Sequence, residues 1–239
     1  MSSIAIITAR GGSKRIPKKN IKSFCGKPII AYSIQAALAG KMFDEVMVST
    51  DSQEIADVAV KYGAAVPFLR SEATANDYAT TADVLQEVIA EYAKRGKHFD
   101  TMCCIYPTAP FVTAERLAQA AVVFRDSDAD ALVPVVAFSF PPQRSMRIEN
   151  GYLTYNYPEH IRTRSQDLPK WYHDVGQFYF YHIQAFNQSI KENGAIGGYI
   201  LKTVPFEMDE MEVQDIDNLS DWEIAEEKYH RLQAKHRVP

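Results

Sequence analysis

Five basic side chains, Arg10, Lys14, Arg15, Lys18 and Lys19, fall within ten positions around Gly11, Gly12 and Ser13. Paired glycines let backbone N–H groups turn into a cavity and approach phosphate oxygens, and lysine and arginine add charge-assisted bonds to the same oxygens. The segment reads as a phosphate-binding loop; the alternative is a solvated basic loop. It is not a dinucleotide fingerprint, because G-x-G-x-x-G is absent, nor a P-loop, because G-x-x-x-x-G-K-[ST] is absent. Near the other end of the chain, Asp215 and Asp217 stand two residues apart in a segment, 213–216, that reads as a short strand. In a strand, positions i and i+2 face the same way, so both carboxylates can share a hard cation such as Mg²⁺ with phosphate oxygens. A D-x-D ahead of a helix can equally be a cap or solvated surface.

Charge is divided along the chain in a way that suits such a site. Residues 1–43 hold eight Lys or Arg and no acid, whereas residues 207–227 hold ten acids and no Lys or Arg. Folding that joins the two ends would build an anion-plus-metal site; without it they are two solvated faces. The net charge of the whole chain is only −4, and the basic residues concentrate in one loop, so a broad nucleic-acid-binding face is not expected.

The elements that must position these residues follow from apolar patterning. Segments 3–9, 45–49, 66–69, 102–106 and 131–136 read as short buried strands. Helical patterns over about 28–38, 52–62, 80–95 and 113–124 alternate with them. Continuous apolar strands between amphipathic helices predict an α/β fold, a doubly wound and mainly parallel sheet covered on both faces. In such sheets ligands bind beyond the carboxyl ends of the strands, where the loop after the first strand lies. Residues 138–173 break the rhythm with four prolines and many aromatics, and Asn150-Gly151 marks a hairpin turn. An irregular aromatic stretch of this length reads as an inserted functional or dimerisation segment within a single domain spanning 1–239. Further strands are predicted at 176–182 and 198–204, with a final helix from about Leu219 to Ala234.

With 239 residues, 46% apolar and 23% charged, the chain has the composition of an ordinary globular protein, which excludes disorder and coiled coil. No run of eighteen apolar residues exists, so no membrane span is expected, and the N-terminus lacks a signal-peptide pattern. Three cysteines without metal spacing, two of them adjacent, suggest reduced thiols and a cytoplasmic location.

The run Arg10-Gly11-Gly12-Ser13-Lys14-Arg15-Ile16-Pro17, continuing to Lys19-Asn20, resembles the signature of sugar nucleotidyltransferases, and in detail the cytidylyltransferases that activate nonulosonic (sialic-type) acids. Further pieces agree in order: Val48-Ser49-Thr50-Asp51, Phe68-Leu69-Arg70 followed by Ala75-Asn76-Asp77, Pro107-Thr108-Ala109-Pro110, Thr163-Arg164-Ser165-Gln166, and Gln214-Asp215-Ile216-Asp217. The match spans nearly the whole chain. Where sialic acid enzymes carry N-G-A-I-Y, this chain has Asp174-Val175-Gly176-Gln177-Phe178-Tyr179, a form similar to the pseudaminic acid branch of the family.

The resemblance implies a nucleotide-diphospho-sugar transferase-like fold and a reaction of CTP with a nine-carbon α-keto acid sugar, giving a CMP-sugar and pyrophosphate. It implies that Ala9, Arg10, Gly11, Gly12, Ser13, Lys14, Lys19 and Asn20 line the nucleotide site, with Arg10 and Lys19 acting in catalysis. The base is expected near Arg70 and the Asp77–Thr81 stretch, with Ala9, Arg70, Ala79 and Thr81 carried over as its contacts, although Arg70 could be a surface arginine and Thr80 or Thr81 a helix cap. Tyr106, Arg164, Gln166, Asp174, Gln177, Phe178 and Tyr179 are carried over to the sugar; for Phe178 and Tyr179 core packing of one strand is the alternative. Asp215 and Asp217 are implied as Mg²⁺ ligands, while the loop Pro107–Pro110 lacks the acid many relatives outside the sialic group have, which argues against a second protein-held metal. A homodimer through 138–173 is also implied. A sialic or legionaminic acid enzyme is the nearest competing reading, disfavoured by Gln177 and Tyr106. A non-catalytic anion- or RNA-binding protein and a dehydrogenase are remoter ones.

Overall fold

The computed structural model describes residues 1–236; residues 237–239, included in the expected domain, lie outside them. The first strand, β1 (Ser3–Thr8), runs into the basic loop, after which a two-stranded ribbon, β2 (Ser23–Phe24) and β3 (Lys27–Pro28), precedes α1 (Ile30–Ala39). Pro28 therefore lies in the ribbon, and the predicted helix starts two residues later. Next come β4 (Glu45–Ser49), α2 (Gln53–Lys61), a single turn α3 (Glu72–Ala75), α4 (Thr81–Lys94), β5 (Thr101–Ile105), α5 (Ala114–Asp126) and β6 (Ala131–Ala137). The irregular segment contains a hairpin, β7 (Met146–Glu149) and β8 (Tyr152–Tyr155), and a short strand β9 (Tyr172–Asp174). As expected, the hairpin turns at Asn150-Gly151, both at positive φ. The chain closes with β10 (Phe178–His182), α6 (Ile183–Asn193), β11 (Thr203–Glu207) and α7 (Leu219–His236).

The main sheet has the order β11-β6-β10-β5-β1-β4. β1 pairs in parallel with β4 and β5, and β6 with β11, while β10 lies antiparallel between β5 and β6 and β9 continues that reversed lane along β6. The sheet is thus mainly parallel with one reversed lane. All five parallel strands end at the same edge, where the basic loop emerges.

Period-two alternation sends the strands' side chains to opposite faces. On one face Ala5, Ile7, Val48, Cys103 and Ile105 pack under Ile34 of α1, Ile55 of α2 and Leu117 and Phe124 of α5. On the other, Ile4, Ile6, Met47, Met102 and Cys104 pack under Leu85, Val88 and Tyr92 of α4 and Phe186 and Ile190 of α6. A third cluster joins the chain's two ends: Trp222 and Ala225 of α7, with Ile216, pack on Ile16, Phe24, Ile29 and Tyr32. This contact brings the acidic C-terminal segment to the basic loop.

Three predicted elements are corrected. Residues 66–69 form no strand; Ala65 alone bridges to Met47 at the sheet's edge, and Pro67 offers no donor for a ladder. Residues 213–216 form no strand either: the carbonyls of Val213 and Ile216 accept from the side chains of Lys228 and Lys19 rather than from a neighbouring strand. The strand predicted at 198–204 lies instead at Thr203–Glu207; its first two residues, Gly198 and Tyr199, end a 3₁₀ segment that follows helix α6, and no element is expected over 183–197.

Candidate active site

Beyond the carboxyl ends of β1 and β5 lies an open cavity of about 410 Å³ lined by Thr8, Ser13, Ile16, Asn20, Thr81, Tyr106, Pro107 and Thr108 and by five charged groups. Four of these are cations, Arg10, Lys14, Arg15 and Lys19, against one carboxylate, Asp217. A polyanion is the ligand this excess favours. The basic loop is held in shape from below. The buried Asn20 amide donates to the Arg10 carbonyl at 2.9 Å, and Ala9, fully buried, donates its N–H to the Ser49 carbonyl. The Gly11 N–H donates to Asp51 at 2.8 Å, so it secures the loop and does not face the cavity. A Cβ on Gly11 would sit 3.2 Å from that of Ser52, whereas one on Gly12 would meet nothing within 4 Å. The two glycines thus differ: a side chain at Gly11 would press on Ser52, one at Gly12 would meet open space, and neither glycine lines the cavity.

Asp77 pairs with Arg10 at 2.5 Å and with Lys14, and these bonds hold its carboxyl below the usual carboxylate range. It therefore engages the loop's cations directly. Arg70 does not line the cavity; its guanidinium donates to the Ser49 carbonyl at 2.8 Å and hydroxyl at 3.1 Å, pinning the end of β4. Ala79 likewise lies off the cavity and donates its N–H to Asn76. Thr80 is the cap of α4, in a reciprocal capping box with Asp83, which leaves Thr81 free to face the cavity.

Lys19 is mostly buried and donates to the Ile216 carbonyl at 2.7 Å, with Asp217 at 4.0 Å. Burial lowers its pKa, and the charges of Asp217 and Asp215 oppose that shift. Asp217 accepts from Arg15 at 2.8 Å. Ile216 points into the third core cluster, so its two neighbours must turn away from it. Asp217 lines the cationic cavity, whereas Asp215 lines a separate one of about 240 Å³ with His173 and Lys228, so the two carboxylates do not share one cavity as the i, i+2 strand spacing predicted. Burial, followed by the charge of Asp217, raises the pKa of Asp215. Neither aspartate caps the last helix: Asn218 and Asp221 exchange the capping bonds of α7.

A second cavity, about 210 Å³, shares Thr81 and Tyr106 with the first. Its other walls include Asp174, Tyr179, Tyr181, Phe186 and Tyr199. The Tyr179 hydroxyl donates to Asp174 at 2.9 Å, and its ring meets Tyr106 edge-on with centroids 5.5 Å apart. Burial and the neighbouring Tyr106 and Asp174 push the Tyr179 phenol far up, so it is a fixed donor.

Of the residues carried over to the sugar, Tyr106, Asp174 and Tyr179 meet at this cavity. Phe178 and Gln177 do not. Phe178 is fully buried on the opposite face of β10 against Phe180 and Phe206, and Gln177, 1% exposed, donates to the Glu212 carbonyl. Arg164 and Gln166 are exposed and outside both cavities, with Arg164 paired to Asp167. Arg15, Thr108 and Tyr199 were not singled out as site residues. Arg15 is one of the five loop cations, while Tyr199 falls in the stretch expected as a strand, 198–204, and lies instead at the end of a 3₁₀ segment.

A family model described as cytidylyltransferase matches residues 4–205. The pseudaminic acid cytidylyltransferase of Campylobacter jejuni is 40% identical over 232 residues, covering 96% of this chain and 97% of that protein. The CMP-N,N'-diacetyllegionaminic acid synthase of Legionella pneumophila is 38% identical over 150 residues, 63% of this chain and 64% of that one. Among solved structures, a CMP:2-keto-3-deoxy-manno-octonic acid synthetase complexed with CTP shares the fold with a TM-score of 0.69 at 18% identity, over 99% of this chain and 100% of that one. The basic cavity beyond the parallel strands and the match along most of the sequence agree, and this chain belongs to the cytidylyltransferase family.

Proposed function

We propose that the chain transfers the cytidylyl group of CTP to a nonulosonic acid, pseudaminic acid, releasing pyrophosphate. The observation that carries the reading is the shared wall: the cationic cavity and the aromatic cavity meet at Thr81 and Tyr106, so a nucleotide in one and a sugar in the other adjoin there. Near-full-length identity of 40% to an enzyme of that name selects the sugar. The anomeric hydroxyl forms a bond to the α-phosphorus, the bond from that phosphorus to the bridging oxygen breaks, and the hydroxyl proton is lost to water. Arg10, Lys14, Arg15 and Lys19 neutralise the triphosphate and the departing pyrophosphate. Tyr181, Phe186 and Tyr199 give a deoxy, acetamido-bearing sugar an apolar bed, and the oriented pair Asp174–Tyr179 a polar one.

Mg²⁺ fits the donor set. Asp215 and Asp217 offer carboxylate oxygens two residues apart outside the helix cap, and burial and then the charge of Asp217 raise the pKa of Asp215, a cost that a bound cation would offset. Among the described residues no group of three or more His, Cys, Asp or Glu gathers, so triphosphate oxygens and water would complete the coordination. When bound, the ion supplies charge neutralisation on the phosphates.

The same reading takes the chain as a homodimer through 138–173. Ile148 and Leu153, paired across the hairpin, are 76% and 68% exposed, and Phe140 and Tyr152 elsewhere in the segment are 65% and 78% exposed, apolar surface that a second copy would cover. Arg164 and Gln166, outside the cavities of their own subunit, would then serve the partner's sugar site. No helix among the described residues is long and apolar enough to cross a membrane, and a CTP-dependent enzyme with three free thiols accords with the cytoplasm. The test is pyrophosphate release with CTP and a panel of pseudaminic, legionaminic and sialic acids. Preference for pseudaminic acid is expected; preference for another acid reassigns the sugar, and no release with any of them refutes the activity.

A further inference from the structure

The acidic segment that carries Asp215 and Asp217 has no regular structure of its own, yet it is fixed from three sides. Arg116 of α5 makes a forked contact with the Glu212 carboxylate, at 2.7 and 3.2 Å. Lys228 of α7 donates to the carbonyls of Val213 at 2.8 Å and Glu210 at 3.3 Å. The third anchor is Gln177, at the start of β10, whose amide donates to the Glu212 carbonyl at 2.7 Å. Beyond Val213 the next fixed point is Ile216, buried in the core cluster under Trp222. Only Gln214 and Asp215 separate these anchors, and two residues of chain absorb little displacement.

Gln177 is an odd residue for its place. It is 1% exposed and lines neither cavity, and its Oε1 has no partner among the protein's atoms. A buried amide with one atom bonded and one orphaned adds little net stability. What it adds is direction: one bond between the strand beside the sugar cavity and the segment beside the phosphate cavity. Its backbone carbonyl meanwhile accepts from the N–H of Tyr106, the residue both cavities share.

We infer that Gln177, with Arg116, is a positioning residue for the acidic segment, fixing Glu212 and thereby the place where Asp215 and Asp217 meet the triphosphate. The inference rests on the reading of those aspartates as the cation ligands. It moves Gln177 from the sugar, where its motif put it, to the metal.

The test compares Gln177→Met and Arg116→Met with wild type and with Tyr92→Phe. Tyr92→Phe removes the hydroxyl that donates to Glu45, away from both cavities. Mn²⁺ binding to the protein–CTP complex is measured by electron paramagnetic resonance without sugar, alongside the Mg²⁺ midpoint and the KM of each substrate in turnover. Each of the two variants is expected to weaken Mn²⁺ binding by about ten-fold, the lower end for losing a residue that orients metal ligands. The Mg²⁺ midpoint should rise in parallel, with the sugar KM unchanged and kcat recovering at high Mg²⁺. Tyr92→Phe should lower thermal stability but leave Mn²⁺ binding as in wild type. A raised sugar KM with unchanged Mn²⁺ binding would overturn the inference and return Gln177 to the sugar; unchanged values throughout would reduce it to packing. Should Gln177→Met not fold, Arg116→Met, whose side chain is partly solvent-exposed, decides alone. Failure of the wider reading is separable, because wild type itself would then bind no Mn²⁺ with CTP.

Discussion

Lys19→Met separates two jobs that the structure gives one side chain. The ammonium group donates to the Ile216 carbonyl at 2.7 Å, tying the basic loop to the acidic segment, and it lines the phosphate cavity. Its side chain is only 21% exposed, so solvent screens its bonds weakly. The ion pair with Asp217, at 4.0 Å, is too long to count for much. Loss of a charge-assisted bond to the leaving phosphate removes about 1.5–3 kcal/mol. That is roughly a ten- to hundred-fold fall in kcat/KM. Leaving the Ile216 carbonyl without its partner costs stability by about 1–3 kcal/mol. Pyrophosphate release measures the first effect and urea denaturation the second. Lys19→Arg should retain stability better than Lys19→Met, because it keeps a donor near Ile216, yet should not restore full turnover, because a planar guanidinium aims its donors differently. A Lys19→Met protein that loses stability but turns over at the wild-type rate would show that Lys19 is only a tie, and the assignment to the leaving group would fall.

Four further outcomes are expected. Asp217→Asn should raise the Mg²⁺ midpoint for CMP-sugar formation with partial rescue by excess ion, and the double variant Asp215→Asn, Asp217→Asn should not be rescued; wild-type midpoints in both would clear these aspartates of metal binding. Ile148→Asp on the exposed hairpin should give a monomer by light scattering where wild type is a dimer, and a wild type that is itself monomeric at micromolar concentration rejects the dimer. Trp222→Ala should cost about 3–5 kcal/mol in chemical denaturation, because a large side chain leaves the cluster joining the chain's two ends. Burial, with Glu226 beside it, pushes Cys25 up to about 11 from 9.0, so at pH 8 native Cys25 should hold roughly a hundred-fold less thiolate than in the unfolded chain and alkylate correspondingly slowly; rapid labelling of the native protein would contradict that.

The strands at 3–8, 45–49, 101–105 and 131–137 were legible because each is a continuous apolar run, and the basic loop was legible because its glycines and cations are local in sequence. What the sequence hid is non-local. Helix α6 has Ile183, Phe186 and Ile190 on one face, but it follows β10 without a break, so its pattern merges with the strand's. The Gly-rich stretch after it packs so closely on α6 that a Cβ on Gly197 would fall 2.3 Å from the Ser189 carbonyl oxygen. That contact, which no periodicity encodes, moves β11 to 203–207. The acidic segment was legible as composition and as D-x-D spacing, but its support by Arg116 joins residues 96 apart.

The aromatic cavity shows where a contiguous motif misleads. Gln177, Phe178 and Tyr179 are adjacent in sequence, but adjacent residues of a strand cannot face one ligand together. Phe178 and Phe180 turn to the core under α5, while Tyr179 and Tyr181 turn to the aromatic cavity. That split was readable from alternation alone once 178–182 was taken as a strand. Gln177 precedes the strand, and whether its amide reaches the sugar or the acidic segment depends on where residue 212 lies. No local pattern fixes that, because Glu212 is held by α5 as well as by Gln177 itself. A motif residue beside a pocket can therefore serve the reaction from behind it, by holding the chain that carries the ligands rather than by touching the substrate.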